Sequence, residues 1–153
     1  MNSEDPLAAW HFLIGKWKGG SSDQFGGEGE IVTTATFSME LGKYIRGNFD
    51  SYRDGKLENA SISMMWYDLR NKRFLRKTFF TYGFVNNEIE YERSENELRF
   101  EVISEPVPQM FDGMRWRSYI KKVSDTEIRA GLESAKEGED FTSYGETVLH
   151  KNT

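Results

Sequence analysis

The stretch FLIGKWKGG, Phe12–Gly20, marks the point where the sequence changes from a helical pattern to a strand pattern. Gly15 lets a helix stop, because glycine has no Cβ to hinder the change in backbone direction. Trp17 then begins the first strand, and the flanking Lys16 and Lys18 fall on the opposite, solvent-facing side. We therefore interpret this stretch as a structural lock, in which Trp17 closes one end of the core, rather than as a ligand-binding loop.

The residues before this stretch predict one short helix, over about residues 6–14. Asp5 can cap the helix, and Pro6 suits its first position because proline lacks the N–H that would be unpaired there. Three apolar residues recur at helical spacing, namely Leu7, Trp10 and Ile14.

From Trp17 onward the sequence predicts ten strands, ending at about residue 151, with apolar and polar residues alternating at a period of two. The clearest alternation runs from Val85 to Glu92, and we interpret its glutamates, at 88, 90 and 92, as a solvated face. No crossover helix interrupts the series, so neighbouring strands should be antiparallel. Residues 1–153 are thus expected to form one all-β domain, an up-and-down barrel rather than a sandwich, since closure removes exposed strand edges.

Composition excludes several classes of function. The chain has 25 acidic and 20 basic residues and a net charge of −5, which argues against a nucleic-acid or anionic-membrane partner. It has no cysteine, which fits a reducing, cytoplasmic location. Neither a signal peptide nor an apolar run long enough to span a bilayer is visible. With two histidines and no cysteine, a protein-only metal site is not expected.

Four segments of the chain carry a resemblance to a known family: LIGKWKGG (13–20), ELGKYIRGNFDSY (40–52), MWYDLRNKRF (65–74) and GEDFTSYGETVLHK (138–151). Together they resemble the uncharacterised bacterial family DUF1579. The short helix followed by Gly-x-Trp is also similar to the calycin barrels, which include lipocalins, fatty-acid-binding proteins and nitrobindin-type haem barrels. The resemblance implies a barrel fold but no particular function, because such barrels host carriers, haem proteins and some enzymes.

A barrel of this kind would have a lumen lined by alternate residues of each strand. The apolar members of the predicted lining are Phe37, Phe49, Met64, Trp66, Ile89, Tyr91, Trp116 and Ile120, and the polar ones are Asn87 and Ser118. Such a lining suits a small hydrophobic or amphipathic ligand, bound without catalysis. The aromatic residues would equally fill a small barrel and leave little space.

The last strand supports an alternative, since Tyr144, Glu146 and His150 alternate along one of its faces. If that face points inward, these residues form a ligand-binding or catalytic cluster in the lumen. If it points outward, Ser143, Gly145, Thr147 and Leu149 fill the core, and periodicity alone fits both phases. The nitrobindin resemblance implies that a late-strand histidine such as His150 would be a haem ligand, whereas His11 lies among apolar helix positions.

Three further features leave alternatives open. Arg117-x-Tyr119 resembles the pair that grips carboxylates in some calycins, but its face would also hold other cations, so we expect Trp116, Ser118 and Ile120 to point inward instead. Arg76 lies on a strand, residues 74–82, whose two faces are equally amphipathic, so its direction is undecided. The connection at residues 104–114 carries apolar residues that suit a lid over the barrel mouth, a homodimer contact or packing over the end of the core.

Overall fold

A computed structural model of the protein describes residues 5–21, 29–105 and 113–152. It contains one 3₁₀ helix, Pro6–Leu13, whose first turn is capped by Asp5, since the carboxylate accepts a hydrogen bond from the Leu7 N–H at 3.0 Å. Ten strands follow: β1 Gly15–Ser21, β2 Ile31–Glu40, β3 Tyr44–Arg53, β4 Lys56–Asp68, β5 Arg73–Phe80, β6 Val85–Arg93, β7 Glu97–Glu105, β8 Met114–Ser124, β9 Glu127–Lys136 and β10 Thr142–Lys151. No helix in the described part of the chain has the length and apolar character that crossing a membrane requires.

The strands form a closed antiparallel barrel in which each strand pairs with its neighbours in the sequence. β1 closes the barrel by pairing with both β2 and β10, so that Trp17 lies between Ala35 and Lys151. The β3–β4 hairpin turns at Asp54-Gly55, where both residues have positive φ angles, of 50° and 79°. This conformation explains the Asp-Gly sequence. The prediction of a ten-stranded up-and-down barrel is confirmed.

The helix closes one end of the barrel, and the core lies beneath it. Leu7, Trp10 and Leu13 are buried, and they pack in one cluster with Trp17, which is 1% exposed. The indole Nε1–H of Trp17 donates a hydrogen bond to the Leu13 carbonyl at 2.7 Å, which ties the first strand to the end of the helix. Trp17 therefore closes one end of the core, as the sequence predicts.

Candidate functional site

A cavity of about 420 Å³ occupies the half of the barrel away from the helix. The run of β5 shows how the lumen divides, because Phe74 at its start belongs to the core cluster, whereas Arg76, Thr78 and Phe80 line the cavity. This end of the barrel is where the hairpins β3–β4 and β5–β6 turn. The cavity is of the size that holds a small molecule in other proteins.

A charged pair, Arg76 and Glu88, lies inside the barrel and lines the cavity. The two residues face each other across β5 and β6. The guanidinium contacts the carboxylate through both Nε and Nη2, at 2.9 and 2.8 Å. Thr78 and Ser118 donate further hydrogen bonds to the same carboxylate, at 2.7 and 2.8 Å. Each oxygen of Glu88 thus accepts two hydrogen bonds, which together fill the four lone-pair sites of a carboxylate.

The surroundings of the pair explain how it is tolerated inside a barrel. Glu88 is only 4% exposed, and a buried carboxylate without partners would be strongly unfavourable. The bidentate contact with Arg76 and the two hydroxyl donors supply those partners. The ring of Phe100, which is fully buried, lies 4.8 Å from the guanidinium carbon of Arg76 and covers one face of it. The pair is therefore fixed in position by its contacts before any ligand arrives.

Aromatic rings form one part of the cavity wall. Phe80 and Phe84 stack with centroids 4.7 Å apart, and Tyr82, which is 64% exposed, stacks on Phe84 at 6.4 Å. Trp116 and Tyr144 meet edge to face at 5.2 Å. Rings in these arrangements present flat apolar surfaces to the cavity.

Small hydroxyl side chains form another part of the wall, on β1 to β4 and β10. Thr33 and Ser51 are hydrogen-bonded to each other at 3.0 Å, and Ser21 and Thr147 at 2.6 Å. Ser61 and Ser63 complete this side. Since these side chains are short, they leave the lumen open where larger residues would fill it.

Six of the predicted lumen residues point into the barrel, and one of them is Ile120, which is 3% exposed and belongs to the core cluster. Phe49, Trp116, Ser118 and Tyr144 line the cavity, and Phe37 is buried in the core cluster, where its ring meets Phe49 edge-on at 5.4 Å. Tyr144 reaches the cavity because a register shift between Ser143 and Gly145 breaks the alternation of β10.

Five other predicted lumen residues lie on the outside of the barrel, so their predicted position is wrong: Met64, Trp66, Asn87, Ile89 and Tyr91. The strand phase is the reason. On β4 the buried side chains are those of Ser63 and Met65, which places Met64 and Trp66 on the opposite face. On β6 Glu88 points inward, so its neighbours Asn87 and Ile89 point outward, and Tyr91 is 37% exposed. Interpreting Glu88 as part of a solvated face was accordingly wrong as well.

The remaining two candidates, Glu146 and His150, also point outward, as the second phase for the last strand requires. Glu146 accepts a hydrogen bond from the Tyr119 hydroxyl and lies 3.5 Å from Arg129. The His150 side chain is 62% exposed, with Nδ1 3.7 Å from a Glu127 carboxylate oxygen. Neither histidine of the chain lines the cavity, so no histidine stands where it could ligate a haem in the described lumen. Within the described ranges, no His, Cys, Asp and Glu cluster suits a metal ion.

Tyr119 is among the residues that line the cavity, but its side chain joins a network on the opposite face of β8 from Ser118 and Ile120, which point inward. Its ring lies against Gly131, where a Cβ would come within 2.2 Å of the ring carbon Cζ. Burial, and then the hydrogen bond to Glu146, raise the pKa of the Tyr119 hydroxyl well above its ordinary value. The hydroxyl is therefore a hydrogen-bond donor that stays protonated at neutral pH.

The strands and their pairing define a closed ten-stranded antiparallel barrel with a lipocalin-like fold. No family model and no curated protein matches the sequence, so the resemblance to DUF1579 remains a prediction. Among solved structures, the chain is similar to that of Rv2717c from M. tuberculosis, with a TM-score of 0.75 and 14% identity over 96% of this chain and 97% of that one. It is also similar to the S-type phycobiliprotein lyase CPES from Guillardia theta, with a TM-score of 0.57 and 9% identity over 99% and 94%. At these identities the similarity shows the fold alone.

Proposed function

We propose that the protein binds a small hydrophobic or amphipathic molecule in its lumen and acts as a carrier or sensor. The observation that supports this proposal is the 420 Å³ cavity, which combines aromatic surfaces with a wall of small hydroxyl side chains and a fixed charged cluster. Binding sites for small molecules are typically concave and mostly apolar, with a few polar groups that orient the ligand. The Arg76–Glu88 pair supplies that polar group, and the aromatic rings around Phe84 and Trp116 supply the apolar surface.

The geometry favours binding over catalysis. A general base needs a free lone pair within reach of the substrate, and all four acceptor sites of Glu88 are occupied by Arg76, Thr78 and Ser118. The alternative cluster of Tyr144, Glu146 and His150 is not assembled, because Tyr144 lines the cavity while the other two point outward.

The remaining parts of the proposal concern the protein's location, the connection at residues 104–114 and its partners. The absence of cysteine supports a reducing compartment such as the cytoplasm. The connection that suggests a lid or a homodimer contact lies largely outside the described residues, so both roles remain predictions. The excess of acidic residues continues to argue against a nucleic-acid partner.

The proposal is tested by native mass spectrometry of the purified protein, followed by blocking the cavity. Ser61→Phe introduces a ring into the lumen, whereas Ile62→Phe places the same ring on the outer face of the same strand, where Ile62 is 40% exposed. We expect a small molecule to accompany the wild-type protein and Ile62→Phe but not Ser61→Phe. Titration with a fluorescent apolar dye provides the same comparison if the natural ligand is lost during purification. Equal dye binding by both variants, or no binding by any of the three proteins, would contradict the proposal.

A further inference from the structure

Arg76 has hydrogen-bond donors that the described part of the protein does not use. A guanidinium carries five N–H groups. Nε–H and one Nη2–H contact Glu88, and the other Nη2–H reaches the Ser118 hydroxyl at 3.1 Å. No described residue accepts a hydrogen bond from the two N–H groups of Nη1.

Nη1 is accessible from the cavity. Among the described side chains, the nitrogen atoms that are both fully buried and without a hydrogen-bond partner are Nε of Arg73 and Nε of Arg117. Nη1 of Arg76 also lacks a partner but is not in this group, so part of its surface is accessible. Arg76 points into the lumen and lines the cavity, so the space through which Nη1 is reached is the cavity itself. A ligand there meets a donor whose position Glu88 and Phe100 have already fixed, which reduces the entropy lost on binding.

The charges around Nη1 distinguish between possible ligands. Three charged residues line the described cavity, namely Glu58, Arg76 and Glu88. Arg76 and Glu88 neutralise each other, and Glu58 is paired with Arg53 at 2.7 Å. A ligand carboxylate beside Arg76 would place an unbalanced negative charge next to Glu88 in a partly desolvated site, which is unfavourable. An uncharged acceptor would use the same donor and leave the charges balanced.

We infer that the lumen selects a ligand with an apolar, preferably aromatic, body and one uncharged hydrogen-bond acceptor, such as a ketone, aldehyde or amide oxygen, which accepts from Nη1 of Arg76. This inference rests on the proposed function and specifies the chemical class of the ligand. This preference distinguishes the lumen from a carboxylate-binding site, in which the positive charge of an arginine is not already neutralised by a neighbouring carboxylate.

The test uses three probes of nearly the same shape: 2-acetylnaphthalene, 2-isopropenylnaphthalene, in which a CH₂ group replaces the carbonyl oxygen, and 2-naphthoate. Binding to the wild-type protein is measured by calorimetry or by quenching of tryptophan fluorescence. We expect the ketone to bind about tenfold more tightly than the alkene. A tenfold difference is at the lower end of the range for a hydrogen bond that involves a charged donor. The carboxylate should bind more weakly than the ketone.

Variants then assign the preference to Arg76. Arg76→Met/Glu88→Met removes both charges together, and Arg76→Lys keeps a positive charge beside Glu88 but lacks the second branch of the guanidinium. Both should bind the alkene about as well as the wild type and lose the ketone preference. Lys77→Met removes a cation from the outer face of the same strand and should change nothing. Circular dichroism melting identifies any variant that fails to fold.

The outcomes separate this inference from the proposed function. Equal binding of ketone and alkene by the wild type, tighter binding of the carboxylate, or a ketone preference that survives in a folded Arg76 variant would each overturn the inference, while leaving the lumen as a binding site. If none of the three probes binds the wild type, the inference is overturned, and the blocking experiment with Ser61→Phe decides whether the proposed function fails with it.

Discussion

Replacing Trp17 by alanine tests how the barrel is closed at the helix end. The indole is 1% exposed and packs beneath Leu7, Trp10 and Leu13. Phe12 meets the indole edge-on, with ring centroids 6.3 Å apart. The substitution would leave a cavity under the helix and would remove the donor that binds the Leu13 carbonyl.

The expected loss follows from these contacts. Truncating a buried large aromatic side chain to alanine lowers the free energy of unfolding by about 3–5 kcal/mol. For a domain of this size, each kcal/mol corresponds to a change of about 2–4 °C in melting temperature, so Trp17→Ala should melt about 6–20 °C below the wild type. Ligand binding at 10 °C should be retained, because Trp17 does not line the cavity.

Urea unfolding followed by circular dichroism measures the effect without relying on tryptophan fluorescence, which the substitution itself alters. Trp66→Ala is the matched control, since Trp66 lies on the outer face of β4 beside Tyr44. We expect it to lower the free energy of unfolding by about 1 kcal/mol or less, as for most surface substitutions. If Trp17→Ala unfolds at the same urea concentration as Trp66→Ala, or loses ligand binding while fully folded, our view of Trp17 as a structural residue is wrong.

Two further predictions concern the polar networks. Glu88→Ala should lower the free energy of unfolding by about 3–5 kcal/mol, because it leaves Arg76 without its carboxylate. Arg76→Met/Glu88→Met removes both charges and should lower the free energy of unfolding by less. If urea unfolding shows the double variant to be less stable than Glu88→Ala, this reasoning is refuted. Because burial and the bond to Glu146 raise the pKa of Tyr119, the resulting stabilisation is fully present below pH about 10 and is lost as the pH rises through the folded-state pKa. An absorbance titration at 295 nm should show Tyr119 ionising at a lower pH in Glu146→Gln, and an unchanged titration would contradict the assignment.

The fold could be predicted from the sequence because its signals are local. The helix predicted over about residues 6–14 is observed at Pro6–Leu13, and its start follows from Asp5 and Pro6. Antiparallel pairing and closure then follow from the number of strands and the absence of crossover helices. The 3₁₀ type of the helix and the register shift beside Tyr144 depend on tertiary packing, and no sequence pattern indicated them.

The candidate site could be predicted only in part, because several strands are amphipathic in both phases. On β4, a pattern of Ile62, Met64 and Trp66 suggests a buried face, yet Ser61 and Ser63 point into the lumen. Apolar side chains on the outside of a barrel are common, since about half of any protein surface is apolar. The alternation thus identified the strand but could not decide which of its faces points into the lumen.

The Arg76–Glu88 pair shows how pairing across a hairpin bears on which face of β5 points inward. Each residue alone looks unsuited to a core, since a single buried charge is strongly unfavourable. Yet both lie six positions from Tyr82 in the turn, so a hairpin centred there places them opposite each other, as the register confirms. The other phase of β5 would bury Lys77 opposite Asn87, an ammonium group without a carboxylate. Only one phase of this hairpin pairs the two charges, and that pairing is what makes Arg76 and Glu88 tolerable inside the barrel.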